Sequence, residues 1–198
     1  MPTSAGHAAL QPALEETVRL SCDWGIRVLT IFAFSHRNWN RPKKEVDFAM
    51  GVFNRFIQDM DGIRLHIIGD LPRLPEETRS NSQTDLMLGI GYSGRANILQ
   101  ACQKLAQKAH NKLLRPEDID ESLFADELEM SWTDEFPYPD LLIRTSGELR
   151  LSEFMLWQLA YTELFFTDAL GPDFGEAEYL EALMSFQSRE RRFGKRIL

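Results

Sequence analysis

The run IRVLTIFAF, residues 26–34, constrains the fold more than any other stretch: it is apolar almost throughout, bounded by Gly25 before and by polar SHRN after. A segment this short and rich in β-branched and aromatic residues reads as a strand buried on both faces, so something must cover each side. IRLHII (63–68), Leu86 to Ile90, LLIR (141–144) and LFF (164–166) repeat the signal. Helical patterns stand between them. Leu10, Leu14, Val18 and Cys22 recur at four-residue spacing over 8–24, where Pro12 should confine the start or bend the helix. After Pro42, the residues Val46, Met50, Phe53 and Ile57 form one stripe. Gly94 to His110, a short acidic helix opened by Pro116, and Glu176 to Arg192 complete the helical signals. Ser152 is placed to cap a further helix reaching about Tyr161. Asp61-Gly62 reads as a turn, and Asp70 to Gln83, with Pro72 and Pro75, as a loop. Such alternation predicts an α/β fold: a central, mostly parallel β-sheet flanked by helices, in a single domain over residues 1–198.

A formal net charge of −8 argues against broad binding to DNA or RNA, yet leaves room for a local cationic pocket. The two cysteines, Cys22 and Cys102, sit in apolar-periodic segments and read as buried free thiols, without disulfide or zinc spacing. No stretch approaches the roughly 18 apolar residues that span a bilayer, and the N-terminus lacks a secretory pattern. A soluble protein of a reducing compartment is expected, with plastid and cytoplasm both open, since transit peptides are removed on import.

Ligands of open α/β sheets gather beyond the carboxyl ends of the strands. Two polar clusters occupy those places: SHRNWNR after the first strand and RTSGELR after the fourth. In the second, Gly147 allows close backbone approach, Ser146 and Ser152 offer hydroxyls, and the planar forks of Arg144 and Arg150 suit phosphate oxygens. The competing reading pairs both arginines with Asp140 and Glu148 on the surface, and spacing alone leaves the two open. In the first cluster, Trp39 in a polar turn is commonly a lid on the core and Asn38 a turn former. His7 at the head of the first helix reads by itself as a cap or surface residue, and the basic tail RERRFGKR as a solvated helix end.

Taken in order, the segments GH (6–7), LTIFAFSHRNWNRPKKEVDF (29–48), IIGD (67–70), GYSGRANILQA (91–101), PDLLIRTSGELRLSEFMLWQLAYTELFF (139–166) and RERRFG (189–194) resemble the cis-prenyltransferases, the family of undecaprenyl diphosphate synthase and its plant relatives. The resemblance implies a homodimer whose sheet and helices enclose a hydrophobic tunnel. It also implies condensation of isopentenyl diphosphate with an allylic diphosphate, assisted by Mg²⁺, to give a cis double bond and free diphosphate. Arg144, Arg150 and Ser152 would hold isopentenyl diphosphate. His7, Ser35, Asn38 and Arg41 would serve the allylic diphosphate and bond formation, and Trp39 would wall the junction of the substrates. Glu45 and Glu148 would support the arginines, and Glu163 matches an acidic residue linked to metal. The stripe Met50, Phe53, Ile57 would suit a tunnel wall, although on spacing alone it suits an ordinary core better. A membrane surface enters only if the product is a long polyprenyl chain.

The sequence departs from the family pattern in four places. A strand and an aspartate loop normally precede Gly6-His7; the stretch between Pro72 and Ser80 is short; His36-Arg37 stands where Thr/Ser-Glu is usual; and Glu153 replaces an asparagine. A protein without the aspartate loop is expected to be inactive or impaired. Two alternatives follow: irregular coupling of two dimethylallyl diphosphates, as in lavandulyl diphosphate synthase, and a non-catalytic partner subunit of a cis-prenyltransferase complex.

Overall fold

The computed structural model describes residues 3–59, 63–69, 85–129 and 138–193, with side chains from residue 9 onward. The elements are α1 (Thr3–Asp23), β1 (Val28–Ser35), α2 (Lys43–Asp59), β2 (Arg64–Gly69), β3 (Asp85–Tyr92), α3 (Gly94–His110), α4 (Glu121–Asp126), β4 (Leu141–Arg144), β5 (Glu163–Phe166) and α5 (Glu176–Gln187). Every strand read from the sequence is present. The expected turn at Asp61-Gly62 and the loop from Asp70 to Gln83 lie outside the described residues.

All described strand pairs are parallel, as alternation with helices requires. They form two sheets, β1-β3-β2 and β4-β5. β3 is central in the larger sheet, and Leu86 to Tyr92 is buried without interruption. Its alternation sorts the core. Leu86, Leu88 and Ile90 face Phe34, Phe53 and Phe56, while Met87 and Tyr92 face Phe154, Met155 and Leu159. A positive φ of 68° at Gly91 breaks the period of two, which is why the even-numbered Tyr92 reaches the odd-numbered face. Gly69 has no substitute, because a Cβ there would stand 2.3 Å from the carbonyl oxygen of Ile90 at a φ of +115°.

The remaining edge of β1 and the edge of β4 face one cavity of about 1070 Å³. Residues 25–33 and 138–146 line it in succession, with Leu10, Leu14 and Thr17 of α1 among the other walls. α1 also packs on α2, α5 and the turn Gly171–Asp173.

Several local expectations are corrected. α1 begins at Thr3, ahead of the expected residue 8, and runs through Pro12, which does not confine its start. The lost backbone donor costs ~3 kcal/mol, and packing of Val18 and Leu20, 2% and 3% exposed, offsets it. Cys22 and Cys102 are exposed, not buried. Four-residue steps advance about 40° beyond a full turn each, so Cys22 has rotated off the face begun by Leu10 and Leu14. α5 ends at Gln187, short of Arg192. No α-helix follows Ser152: Ser152, Glu153 and Met155 have φ of 52°, 66° and 43°, and only a 3₁₀ turn at Gln158–Tyr161 forms. The α2 stripe is core. Phe53 is 2% exposed among Phe34, Ala49 and Phe56, with Met50 and Ile57 packed on the same cluster, the role that spacing alone favoured.

Phe53→Ala should therefore lower the unfolding free energy by about 3–5 kcal/mol in urea titrations. A loss below about 1 kcal/mol would show that Phe53 borders open space instead.

Candidate functional site at the carboxyl ends of three strands

β1 ends in a bulge. Its register with β3 shifts between Phe32 and Phe34 and again before Ser35, so that Ala33 and Phe34 both turn toward the α2 side. Bulges re-aim the residues that follow them. Here Ser35 leads into a 3₁₀ turn, His36–Asn40, which Asn38 ties off: its Oδ1 accepts from the Ser35 backbone N–H at 2.8 Å and from Ser35 Oγ at 2.9 Å. With that oxygen engaged, the Asn38 amide presents its two N–H donors outward. Ser35 thus orients Asn38. Trp39 packs edge-on against Phe34, with centroids 4.9 Å apart, and half of the bland reading holds: it is a lid on the core. Arg41 is exposed and has no ion-pair partner among the described residues. Glu45 opens α2, its backbone N–H bonded to the Pro42 carbonyl at 2.9 Å.

The loop after β4 is held from below by the chain after β5. Thr167 N–H donates to the Arg144 carbonyl (2.9 Å), Ser146 N–H to Ala169 (2.8 Å) and Gly147 N–H to Thr167 (2.9 Å). Ser146 and Gly147 both take positive φ, 72° and 65°. Arg144 lines the cavity, and its Nε is buried without a hydrogen-bond partner among the described residues. Burying an N–H of a guanidinium costs free energy unless an acceptor reaches it, so this atom awaits one. Arg150 also lines the cavity and pairs with Glu148, as the surface reading anticipated for that arginine. Asp140 pairs with Arg191 and not with Arg144.

Glu153 brings the strand ends together. Its carboxylate accepts from Arg37 Nη2 at 2.9 Å and from Ser93 Oγ at 2.9 Å, and Arg95 stands 3.7 Å away. The Ser93 hydroxyl foremost, helped by the two guanidiniums, holds its carboxyl below the ordinary glutamate range. Its carbonyl oxygen accepts from Gly94 N–H at 2.7 Å, and a Cβ at Gly94 would stand 2.7 Å from that oxygen. Arg37 and Glu153, two departures from the family pattern, therefore meet. Loop 150–155 is also seated by Phe154, stacked on Phe32 at 4.7 Å.

Two predicted residues are not gathered here. Glu163 opens β5 opposite Leu141, at the amino end of its sheet, and is ion-paired with Arg189 at 2.9 Å. His7 lies in α1, its side chain outside the described set. Sequence reasoning overlooked Ser93 and Arg95. The signal was there: SGR stands directly after β3 and opens α3, the same position that singled out the clusters after β1 and β4.

Comparison with known proteins follows this geometry. Residues 1–194 match the family model described as "Putative undecaprenyl diphosphate synthase". The chain is 51% identical over 211 residues to dehydrodolichyl diphosphate synthase CPT5, chloroplastic, of Solanum lycopersicum, covering 98% of this chain and 67% of that one. It is 45% identical over 207 residues to (2Z,6Z)-farnesyl diphosphate synthase CPT6, chloroplastic, of the same organism, covering 98% and 72%. The crystal structure of lavandulyl diphosphate synthase from Lavandula x intermedia in complex with dimethylallyl diphosphate superimposes with a TM-score of 0.91 at 40% identity, covering 97% of this chain and 89% of that one. With its parallel strands, its polar strand ends and its match from end to end, the chain belongs to the undecaprenyl diphosphate synthase family of cis-prenyltransferases.

Proposed function

We propose that the protein condenses isopentenyl diphosphate with an allylic diphosphate to form a cis-prenyl diphosphate. The observation that carries the reading is Arg144: a guanidinium whose buried Nε has no partner among the described residues, lining the cavity with Arg150 at the carboxyl end of β4. A diphosphate supplies the missing acceptor, and the charge-assisted fork is the geometry phosphate oxygens favour.

Arg144, Arg150 and Ser152 hold isopentenyl diphosphate in this reading, with Glu148 keeping Arg150 in place. Asn38, oriented by Ser35, and Arg41 face the allylic diphosphate, and His7 belongs with them. In the reaction the allylic C1–O bond breaks, the isopentenyl C4 forms a bond to that carbon, and a proton leaves isopentenyl C2 as diphosphate departs. Negative charge grows on the departing oxygen, where guanidiniums and amide N–H groups are worth most.

Mg²⁺ belongs to the reading as counterion of the diphosphates. The described residues do not assemble a site for it: no group of three acidic, His or Cys side chains comes together, and Glu148, Glu153 and Glu163 are each held by an arginine. The facing edges of β1 and β4 would accept the parallel strand that the family resemblance expects before Gly6-His7. Such a strand would join the two sheets. A homodimer suits the exposed apolar Leu180 and Met184 on α5, next to Trp24 and Ile26. Among the described residues no helix is long and apolar enough to cross a membrane, and the chloroplastic relatives favour the plastid.

Purified protein given radiolabelled isopentenyl diphosphate, Mg²⁺ and dimethylallyl, geranyl or farnesyl diphosphate should yield a labelled prenyl diphosphate. No incorporation with any primer would contradict the enzyme reading and favour a partner-subunit role. Chromatography after dephosphorylation should show a linear cis chain, and a branched product of two dimethylallyl units would mark irregular coupling. Arg144→Ala should weaken isopentenyl diphosphate binding roughly 10- to 100-fold in titration calorimetry, the loss of a charged hydrogen-bonded pair. An unchanged affinity would remove Arg144 from the site.

A further inference from the structure

We propose that Glu153 is a positioning residue that locks the Arg150–Ser152 segment to the Ser35–Arg41 turn, so that the two diphosphate positions are set at a fixed separation. This rests on the reading of residues 144–152 as the isopentenyl diphosphate cradle. Glu153 is the one side chain in the described loop that reaches the elements after all three strands. It touches Arg37 after β1 and Ser93 and Arg95 after β3, and itself follows β4. Among the described residues the two sheets share no ladder, so their carboxyl ends need some other tie to keep register.

The local backbone does not hold this segment in place unaided. Ser152, Glu153 and Met155 all sit at positive φ, which L residues adopt only when surroundings dictate it. Beside the packing of Phe154 and Met155, four contacts converge on Glu153: Gly94 N–H on its carbonyl, and Arg37, Ser93 and Arg95 around its carboxylate. The Arg37 pair alone is a weak source of stability, since Arg37 is 74% exposed. Its consequence is orientation. A cradle already in its binding conformation loses less freedom when the ligand arrives.

Glu153 has a second effect of opposite sign. It is an anion among Arg37, Arg95 and the nearby cationic loop, and it offsets charge that would otherwise draw diphosphate inward. Removing it therefore separates two accounts. If the carboxylate only neutralises, Glu153→Ala tightens diphosphate binding. If it positions, the same variant weakens it.

The experiment compares wild type, Glu153→Ala, Glu153→Gln, Arg37→Ala and the double variant Arg37→Ala/Glu153→Ala. It records KM for isopentenyl diphosphate, kcat, and calorimetric binding of isopentenyl diphosphate. Glu153→Ala should raise KM roughly tenfold with kcat within about threefold of wild type. Arg37→Ala should give a smaller rise, Glu153→Gln should fall between wild type and Glu153→Ala, and the double variant should match Glu153→Ala, as coupled residues do. An unchanged or lowered KM in Glu153→Ala, or a double variant equal to the sum of the singles, overturns the proposal. Should Glu153→Ala not fold by circular dichroism, the surface variant Arg37→Ala decides alone: a raised KM supports the clamp, an unchanged one refutes it. Wild type that binds no isopentenyl diphosphate would defeat the underlying reading, whereas wild type and variants binding equally would defeat only the clamp.

Discussion

The stacking of Phe154 on Phe32, ring centroids 4.7 Å apart and nearly parallel, ties together two sheets that no backbone ladder joins among the described residues. Tyr92 meets Phe154 edge-on at 6.2 Å, so three aromatic rings from the ends of β1 and β3 and from the loop after β4 form one cluster. Each such pair adds about 0.5–1.5 kcal/mol beyond the area it buries. That energy is comparable with the ~1–3 kcal/mol cost of a residue held at positive φ. Packing thus sustains a loop conformation that local preference would not choose, and the loop carries Arg150 and Ser152.

Electrostatics acts on the same loop at short range. The chain is acidic overall, yet its arginines are spent one by one: Arg150 on Glu148, Arg37 on Glu153, Arg189 on Glu163, Arg191 on Asp140. Arg191 keeps a buried Nε without a hydrogen bond among the described residues even so, whereas Arg144, the last residue of β4, combines such an Nε with no ion pair among those residues. Exposed pairs contribute little to stability, so their role is to fix where guanidiniums point. The anion site follows from a buried guanidinium at a strand end that no carboxylate among the described residues pairs with, not from net charge.

Much of this was legible in the sequence. Apolar runs such as IRVLTIFAF and LLIR are parallel strands, as their composition implied, although both stand half-buried at sheet edges among the described residues, and the polar turns after them mark the ligand side. The Ser35–Asn38 tie was half visible as turn chemistry. What escaped depends on contacts distant in sequence. LSEFMLWQLAY carries helical spacing, and its seating on Phe32 and Tyr92 overrides that preference, a tertiary effect no local window contains. Glu153 stood out in the sequence only as a departure from an asparagine, since Arg37 and Ser93 on its carboxylate lie 116 and 60 residues away. Cys22 was misjudged because a four-residue repeat is only approximately a helix face. Glu163 was grouped with the site by family pattern, and the parallel register puts it at the other end of the strand.

The most direct test is a crystal structure of the protein with isopentenyl diphosphate. The account predicts diphosphate oxygens within about 3 Å of the guanidiniums of Arg144 and Arg150, with Arg144 Nε among the donors. A diphosphate seated elsewhere, with the Arg144 Nε still unmatched, would contradict it.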